Sequence, residues 1–247
     1  MIALAALAMV MAPAQPEAAA APAGSPSTAR HKRHRTGPPR PPGVSDWTID
    51  ASVTLTSDYR PGGISSTEGK PALEADVEVH HRSGVFASAF ASTLARNGGD
   101  RVEIDLAGGY THKVGGSDVS MLGTAYLFPG VPRSAYIEGQ IEASKRLGSV
   151  TLGASVAYSP PQPGTGHRSN LYTGVTADYD IPHSPWSFDA AFGRENGAFG
   201  NRKLDWSVGT TLSLPPFDLS LGYFDTARTF AARHAGRTVI TSLSISF

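Results

Sequence analysis

The chain has 247 residues, of which 40% are hydrophobic, and it contains 27 Gly, 19 Pro and no Cys. This length allows one or two domains, and the absence of cysteine excludes a disulfide framework and a thiolate metal site. Five of the 21 Lys and Arg residues precede Val44, but only one of the 21 Asp and Glu residues does, so the rest of the chain is acidic.

The first residues have the pattern of a secretory signal peptide. An apolar run from Ile2 to Ala12 is too short to cross a membrane as a helix, and the small residues Ala12 and Ala14 fit a cleavage pattern. We therefore expect a signal peptide over residues 1–14, with cleavage no later than residue 23.

Residues 15–43 are rich in Ala, Pro, Gly and Ser and cannot bury a core, which predicts a disordered linker. Its five cations are Arg30, Lys32, Arg33, Arg35 and Arg40. A basic run can bind nucleic acid, but behind a signal peptide we expect no nucleic-acid partner. The linker over residues 15–43 is expected to act as a spacer or tether, or alternatively as a cationic plug of the barrel.

From Val44 to Phe247 the pattern is that of β-strands. Twelve segments alternate apolar and polar residues with a period of two and are bounded by turn-forming residues. The clearest segments are Leu73–His80, Val102–Tyr110, Tyr136–Ala143, Val150–Tyr158 and Trp206–Leu214. The weaker ones are Trp47–Tyr59, Val85–Ala95, Asp118–Phe128, Leu171–Ile181, Trp186–Gly193, Phe217–Phe224 and Thr238–Phe247.

The connections between these segments differ in length on the two sides. The long ones, 60–71, 159–170, 194–204 and 225–236, all fall on one side, and tight turns fall on the other. Outer-membrane barrels show this asymmetry, with short periplasmic turns and long external loops. We therefore predict an all-β fold, an antiparallel up-and-down transmembrane barrel of about 12 strands over residues 44–247, with both termini in the periplasm.

Aromatic residues gather at the predicted strand ends, as they do at the two interfaces of a bilayer. The inner girdle is predicted to contain Trp47, Phe86, Tyr110, Tyr179, Trp186, Phe217 and Phe247. The outer girdle is predicted to contain Tyr59, Tyr126, Phe128, Tyr136, Tyr158, Tyr172, Trp206 and Tyr223. A soluble twelve-strand sandwich is the alternative, but it does not explain these girdles together with the signal peptide and the terminal Phe.

Carboxylates occupy the polar face of strand after strand, and a wet barrel lumen explains their position. The predicted pore-lining residues are Asp50, Glu74, Asp76, Glu78, Glu103, Asp105, Glu138, Glu142, Asp178, Asp189, Asp205 and Asp218. Rings of acidic side chains favour cations over anions. The alternative is that Arg82, Arg101 or Arg146 neutralises these carboxylates and the barrel is filled.

The sequence gives little support for catalysis or for a cofactor. It contains neither a G-x-S-x-G elbow nor an H-E-x-x-H motif, so we expect no enzyme, although some outer-membrane barrels are enzymes. His80 could form a metal or proton site with Glu78 and Asp76, but a simple ion pair is the better interpretation. We therefore expect no metal and no cofactor.

The chain ends on a strict alternation in which Leu243, Ile245 and Phe247 share one face. This pattern predicts a last strand that closes the barrel against the first strand. The terminal Phe247 with Ile245 and Leu243 also resembles the signal that the outer-membrane barrel-assembly machinery recognises.

The segments L-T-S-D-Y-R-P-G-G-I-S-S-T-E-G-K-P-A-L-E, V-E-I-D-L-A-G-G-Y, L-D-W-S-V-G-T-T-L-S-L and L-S-L-G-Y-F-D-T resemble the TorF porin family of Proteobacteria. The likeness covers nearly all of 44–247 and is most specific in the first external loop, at Tyr59, Arg60, Gly63, Ile64, Ser65 and Pro71. The family typically carries Arg and Gln where this chain has Gly62 and Glu74, so no role of that Arg carries over.

Together these patterns predict a passive porin of the bacterial outer membrane with an acidic, cation-preferring lumen. Its expected partners are outer-membrane lipids and lipopolysaccharide, the assembly machinery, and small ions or solutes. A plugged or non-conducting barrel with a loop-mediated binding or structural role is the alternative, and an outer-membrane enzyme is a more distant one.

Overall fold

The computed structural model describes residues 45–95, 102–229 and 234–247. It contains twelve strands: β1 (Trp47–Thr56), β2 (Ala72–His81), β3 (Val85–Thr93), β4 (Val102–Val114), β5 (Ser117–Leu127), β6 (Tyr136–Leu147), β7 (Val150–Ser159), β8 (Asn170–Asp180), β9 (Trp186–Gly197), β10 (Lys203–Leu214), β11 (Phe217–Ala227) and β12 (Thr238–Ser246). The predicted signal peptide and linker lie outside the described residues.

The strands form one closed antiparallel barrel in which each strand pairs with its neighbours along the chain. β1 and β12 complete the ring, in a register that runs from Ser52 opposite Ser246 to Thr56 opposite Ser242. The Phe247 amide donates a further 3.0 Å hydrogen bond to the Ala51 carbonyl. The predicted twelve-strand meander and its closure by the last strand are therefore confirmed, and the sandwich alternative is wrong.

Strand ends differ from the sequence prediction where polar residues continue the alternation. β9 reaches Gly197 and β10 begins at Lys203, so the connection predicted over 194–204 contains only residues 198–202. Polar residues at these strand ends resemble loop residues, and the lumen contacts that retain them in the sheet are not visible in the sequence. β1 ends at Thr56, before Tyr59, because the chain turns inward there.

Alternation gives the barrel an apolar exterior. Side chains such as Leu55, Val77 and Leu243 are 55%, 44% and 47% exposed, and similar side chains surround the whole barrel. Their neighbours of opposite parity point inward and are mostly Ser, Thr, Asp and Glu. An exposed apolar band of this extent fits a hydrocarbon environment, where a closed barrel leaves no backbone group unpaired.

The two barrel ends differ in the length of their connections. The end at which β1 begins and β12 stops, called the inner end below, has only the short turns 82–84, 115–116, 148–149, 181–185 and 215–216. The opposite, outer end has the longer connections, including residues 57–71, called loop 1 below. No helix among the described residues is long and apolar enough to cross a membrane.

Candidate functional site

All twelve predicted pore-lining carboxylates lie on the inward-facing positions of their strands. They are Asp50, Glu74, Asp76, Glu78, Glu103, Asp105, Glu138, Glu142, Asp178, Asp189, Asp205 and Asp218, and none of them belongs to the exposed outer face. Two pairs lie directly opposite each other on neighbouring strands, Asp50 with Glu78 and Asp178 with Asp189. Like charges at such directly opposed positions repel each other.

The lumen has two parts that differ in packing. The inner lumen, towards the inner end, contains half-buried carboxylates: Asp50, Glu78, Glu142, Asp178, Asp189 and Asp218. In the outer lumen, Glu103 and Glu138 are only 1% and 3% exposed. Between these two parts, a cavity of about 10 Å³ beside Glu74 and Asp76 has room for about one water molecule. Solvent therefore reaches the inner carboxylates far more readily than the outer ones.

An aromatic cluster fills part of the outer lumen. The Tyr126 and Tyr136 rings are stacked with centroids 4.5 Å apart, and Phe128 packs against Tyr136. Glu138 accepts hydrogen bonds from the Tyr126 hydroxyl at 3.4 Å and from the Ser159 hydroxyl at 2.8 Å. The cluster thus combines stacked rings with a buried carboxylate.

This cluster corrects the predicted aromatic girdles. Five residues assigned to the outer girdle are buried: Tyr59, Tyr126, Phe128, Tyr136 and Tyr172. Phe86 of the predicted inner girdle also faces the lumen. Only Tyr158, Trp206 and Tyr223 remain on the outer face at the outer end, while Trp47, Tyr110, Tyr179, Trp186, Phe217 and Phe247 form an inner girdle as predicted. The alternation along each strand distinguishes lumen-facing rings from rings at the exterior, because Tyr136 shares a strand face with Glu138 and Tyr172 shares one with Asp178.

Lys203, which the sequence patterns did not indicate, is a fully buried charge of the outer lumen. Its side chain is 0% exposed, and its Nζ lies 2.5 Å from Glu195 Oε2 and 3.8 Å from Asp205 Oδ2. Asn170 donates a 2.9 Å hydrogen bond to Glu195, and the Tyr172 hydroxyl donates a 3.2 Å bond to Asp205. A buried ion pair needs such additional hydrogen bonds to offset its desolvation.

The predicted arginine partners lie elsewhere. Arg82 pairs with Asp46 at 3.2 Å, and Arg146 pairs with Asp180 at 3.6 Å, both at the inner rim. Arg101 lies outside the described residues. Within the described residues, neither Arg82 nor Arg146 pairs with a predicted pore-lining carboxylate, whereas Lys203 lies 3.8 Å from Asp205.

Loop 1 folds into the outer mouth of the barrel. Lys203 Nζ donates a 2.6 Å hydrogen bond to the Gly62 carbonyl, and Thr226 Oγ1 donates a 2.7 Å bond to the Gly63 carbonyl. Gly63 has φ +77°, and a Cβ there would collide with Thr226 and Asp205. Glycine is therefore needed at this contact, since only a bare backbone fits in a left-handed conformation.

Asp58 organises the interior of loop 1. It accepts hydrogen bonds from Arg60 Nε at 3.0 Å, from Ser65 Oγ at 2.5 Å and from Thr67 Oγ1 at 2.8 Å. The predicted loop residues Tyr59, Arg60, Gly63, Ile64, Ser65 and Pro71 all belong to this loop. Tyr59 and Ser65 are buried, Arg60, Gly63 and Ile64 are half-buried, and Pro71 is exposed.

Tyr59 of loop 1 lies in the lumen. The centroids of the Tyr59 ring and of the Phe90 ring on β3 are 5.7 Å apart. Burial raises the pKa of the Tyr59 phenol well above its usual range, and the neighbouring carboxylates of Glu103 and Asp105 raise it further. The phenol is therefore neutral at physiological pH and adds no charge to the outer lumen.

His80 lies on the inward face of β2, and its Nε2 is 2.8 Å from Glu78 Oε1. This contact agrees with the simple pairing favoured by the sequence. Among the described residues, no group of three or more His, Asp and Glu side chains is arranged to hold a metal ion.

Comparisons with known proteins place this geometry among porin-like folds. The family model for Gcw_chp, described as a bacterial protein of unknown function, matches residues 41–244. Among curated proteins, no sequence matches this chain. The structure is similar to the KdgM porin, with a TM-score of 0.52 and 7% identity over 81% of this chain and 97% of that chain. It is also similar to the NanC porin, with a TM-score of 0.53 and 11% identity over 81% of this chain and 99% of that chain. At these identities the likeness concerns the fold.

Proposed function

The chain belongs to the Gcw_chp family of bacterial proteins, and we propose that this member is an outer-membrane porin, a passive channel for small solutes with a cation-preferring lumen. The observation that carries this proposal is the combination of a closed apolar exterior with twelve carboxylates on the inward face. Such a barrel can be stable in hydrocarbon while its interior stays polar. The names of its structural relatives and its resemblance to the TorF porin family support the same function.

Cation preference follows from the charge of the inner lumen. The cations Lys113 and Arg146 lie at its rim and pair there with Asp118 and Asp180. Deeper in the inner lumen, the described inward-facing residues include carboxylates and His80 but no Lys or Arg. A fixed negative lining raises the local cation concentration and lowers the barrier for cations relative to anions.

The outer lumen makes the proposed channel narrow. Tyr136, Lys203, Glu103 and Glu195 are all less than 2% exposed, so little water fits between them. We therefore propose that loop 1 and these side chains form the constriction and limit the passage of solutes to small ions. The same burial favours the second candidate, a non-conducting barrel that acts through its external loops.

The remaining assignments belong to the same proposal. The inner end faces the periplasm, as short turns do in barrels of this class, and the exterior contacts outer-membrane lipids including lipopolysaccharide. Leu243, Ile245 and Phe247, whose strand closes the barrel, act as the signal for the assembly machinery. We assign no enzymatic activity to the protein.

Planar-bilayer conductance under a potassium chloride gradient tests the channel. The refolded chain from Val44 is compared with a longer form that keeps residues 15–43. Current steps with a cation-selective reversal potential support the porin, and smaller steps in the longer form indicate that the basic segment plugs the lumen. No current from a folded barrel of either length supports the non-conducting alternative.

A further inference from the structure

The outer surface of the barrel has a groove near the outer end of β8 and β9. It encloses about 250 Å³ and is lined by Leu171, Thr173, Arg194 and Asn196. These residues form two cross-strand pairs, Leu171 with Asn196 and Thr173 with Arg194. All four are exposed on the outward face, so the groove is separate from the lumen.

Arg194 lies at the upper edge of the apolar band. The outward residue below it on β9 is Phe192, which is 46% exposed and lies opposite Trp206 of β10. The residues directly opposite Arg194 are the uncharged Thr173 and Leu204. An arginine on the lipid face is unfavourable at the bilayer centre and tolerated near the interface, where a headgroup can neutralise it.

Within the described ranges, no carboxylate forms an ion pair with this arginine. Among the described residues, the ion pairs of the chain involve Arg60, Lys70, His80, Arg82, Lys113, Arg146 and Lys203, and not Arg194. Arg194 therefore lines the groove without an acidic partner among the described residues. Arginine suits the bidentate recognition of phosphate because its donors form a planar fork.

Two further arginines lie beside the groove. Arg202 is tied to it because its amide donates a 3.2 Å hydrogen bond to Asn196 Oδ1. Arg168 precedes Ser169, whose carbonyl accepts a 3.0 Å bond from Ala198 just beyond β9. Both are exposed, and neither forms an ion pair within the described part of the chain. Two cationic residues therefore lie above Arg194, towards the outer end, whereas the outward residue below it is the apolar Phe192.

We propose that this groove binds a phosphorylated glycolipid of the outer leaflet, the lipid A part of lipopolysaccharide. Arg194 binds a phosphate, Arg168 and Arg202 add positive charge above it, and Phe192, below Arg194 on the same strand, contacts an acyl chain. The assignment to the outer leaflet rests on the proposed function, in which the inner end of the barrel faces the periplasm. The chemistry of the site, an anionic headgroup joined to hydrocarbon, follows from the groove itself.

Lipid binding by the refolded barrel in detergent tests the site. Diphosphoryl lipid A is titrated while the temperature of the heat-induced mobility change is measured. We expect this temperature to rise with lipid A in the wild-type protein and the apparent affinity to fall about tenfold in R194Q, the loss of one charged hydrogen-bonding contact. K113Q removes a cation at the inner rim and should bind lipid A like the wild type.

Three comparisons identify the ligand. Dephosphorylated lipid A should bind weakly, and inorganic phosphate should not compete, because neither combines phosphate with hydrocarbon. Equal affinity of wild type and R194Q would overturn the site, and equal binding of phosphatidylglycerol would overturn the assignment to lipid A. R194Q should leave channel conductance unchanged because Arg194 lies outside the lumen, so failure of this site and failure of the porin proposal are distinguishable.

Discussion

Lys203 and Gly62 meet in the outer lumen although they are 141 positions apart, and the Lys203 ammonium donates a 2.6 Å hydrogen bond to the Gly62 carbonyl. The same ammonium lies 2.5 Å from the Glu195 carboxylate. One cation thus neutralises a carboxylate of the barrel wall and holds loop 1 in the mouth.

Removing this cation should widen the channel. In K203M the hydrogen bond to Gly62 is lost and loop 1 is released, so we expect single-channel conductance to rise about twofold because the constriction sets the current. K113M makes the same substitution at an exposed position of the inner rim and should leave conductance near the wild-type value.

A second variant separates loop release from destabilisation. K203M alone leaves Glu195 buried without its cation, which can weaken the barrel. The double variant K203M/E195Q removes both charges of the pair and should show the same increase in conductance with better stability. Unchanged conductance in a folded double variant would contradict the role of Lys203 in holding the constriction.

Cysteine labelling can measure access to the outer lumen, because the chain has no natural cysteine. Ser92 is 1% exposed on the inward face of β3, whereas Ser88 on the same face is half-buried nearer the inner end. In detergent, a membrane-impermeant maleimide should label S88C rapidly and S92C slowly. K203M should accelerate labelling of S92C and leave S88C unchanged. Rapid labelling of S92C in an otherwise wild-type barrel would show that the outer lumen is already open.

Cation selectivity should depend on the opposed carboxylates of the inner lumen. Asp178 and Asp189 face each other across β8 and β9. In D178N/D189N we expect the potassium-to-chloride permeability ratio to fall, because part of the fixed negative charge is lost. E68Q removes a carboxylate from loop 1 that is paired with Lys70, and it serves as the control. A reversal potential identical to that of the wild type would assign selectivity to other residues.

The two faces of β6 provide a test of the membrane orientation of the wall. Ile141 is 52% exposed on the outer face, while Gln140 points inward and donates a 2.6 Å hydrogen bond to Glu142. I141R should lower the free energy of unfolding in lipid vesicles by about 2–4 kcal/mol, the cost of an arginine near the bilayer midplane. Q140R should lower the free energy of unfolding by a smaller amount, because its charge enters an acidic lumen. Equal losses in urea titrations would argue against a lipid-facing exterior.

The sequence was sufficient for the fold and for the face of each carboxylate, because period-2 alternation determines both. It placed all twelve acidic residues on the inward face, and it identified the strand that closes the barrel, which ends at Ser246, one residue before Phe247. It did not distinguish rings at the membrane interface from rings in the lumen, because the end of a strand is compatible with both. The parity that placed Glu138 in the lumen also applied to Tyr136, two residues earlier.

The lumen ion pair could not be predicted for a different reason. Glu195 and Lys203 lie in a polar stretch that resembles a loop, and their partnership depends on the pairing of β9 with β10. The contact between Lys203 and Gly62 is even harder to predict from the sequence, because it depends on the three-dimensional path of loop 1. Local alternation reports which face a residue occupies and carries no information about contacts between distant segments.

The pairing of β1 with β12 has a consequence for biosynthesis. Ser52 lies opposite Ser246, so the first strand of the barrel gains its second partner only when the last residues of the chain have been made. Until then the growing sheet has two free edges, whose unpaired amides and carbonyls are prone to aggregate in water and costly to expose in lipid. Contacts of such high sequence separation also form slowly, because the entropy of closing the ring is lost before its hydrogen bonds are gained. Folding of this protein therefore requires protection of both sheet edges during the whole period between formation of the first hairpin and closure of the ring.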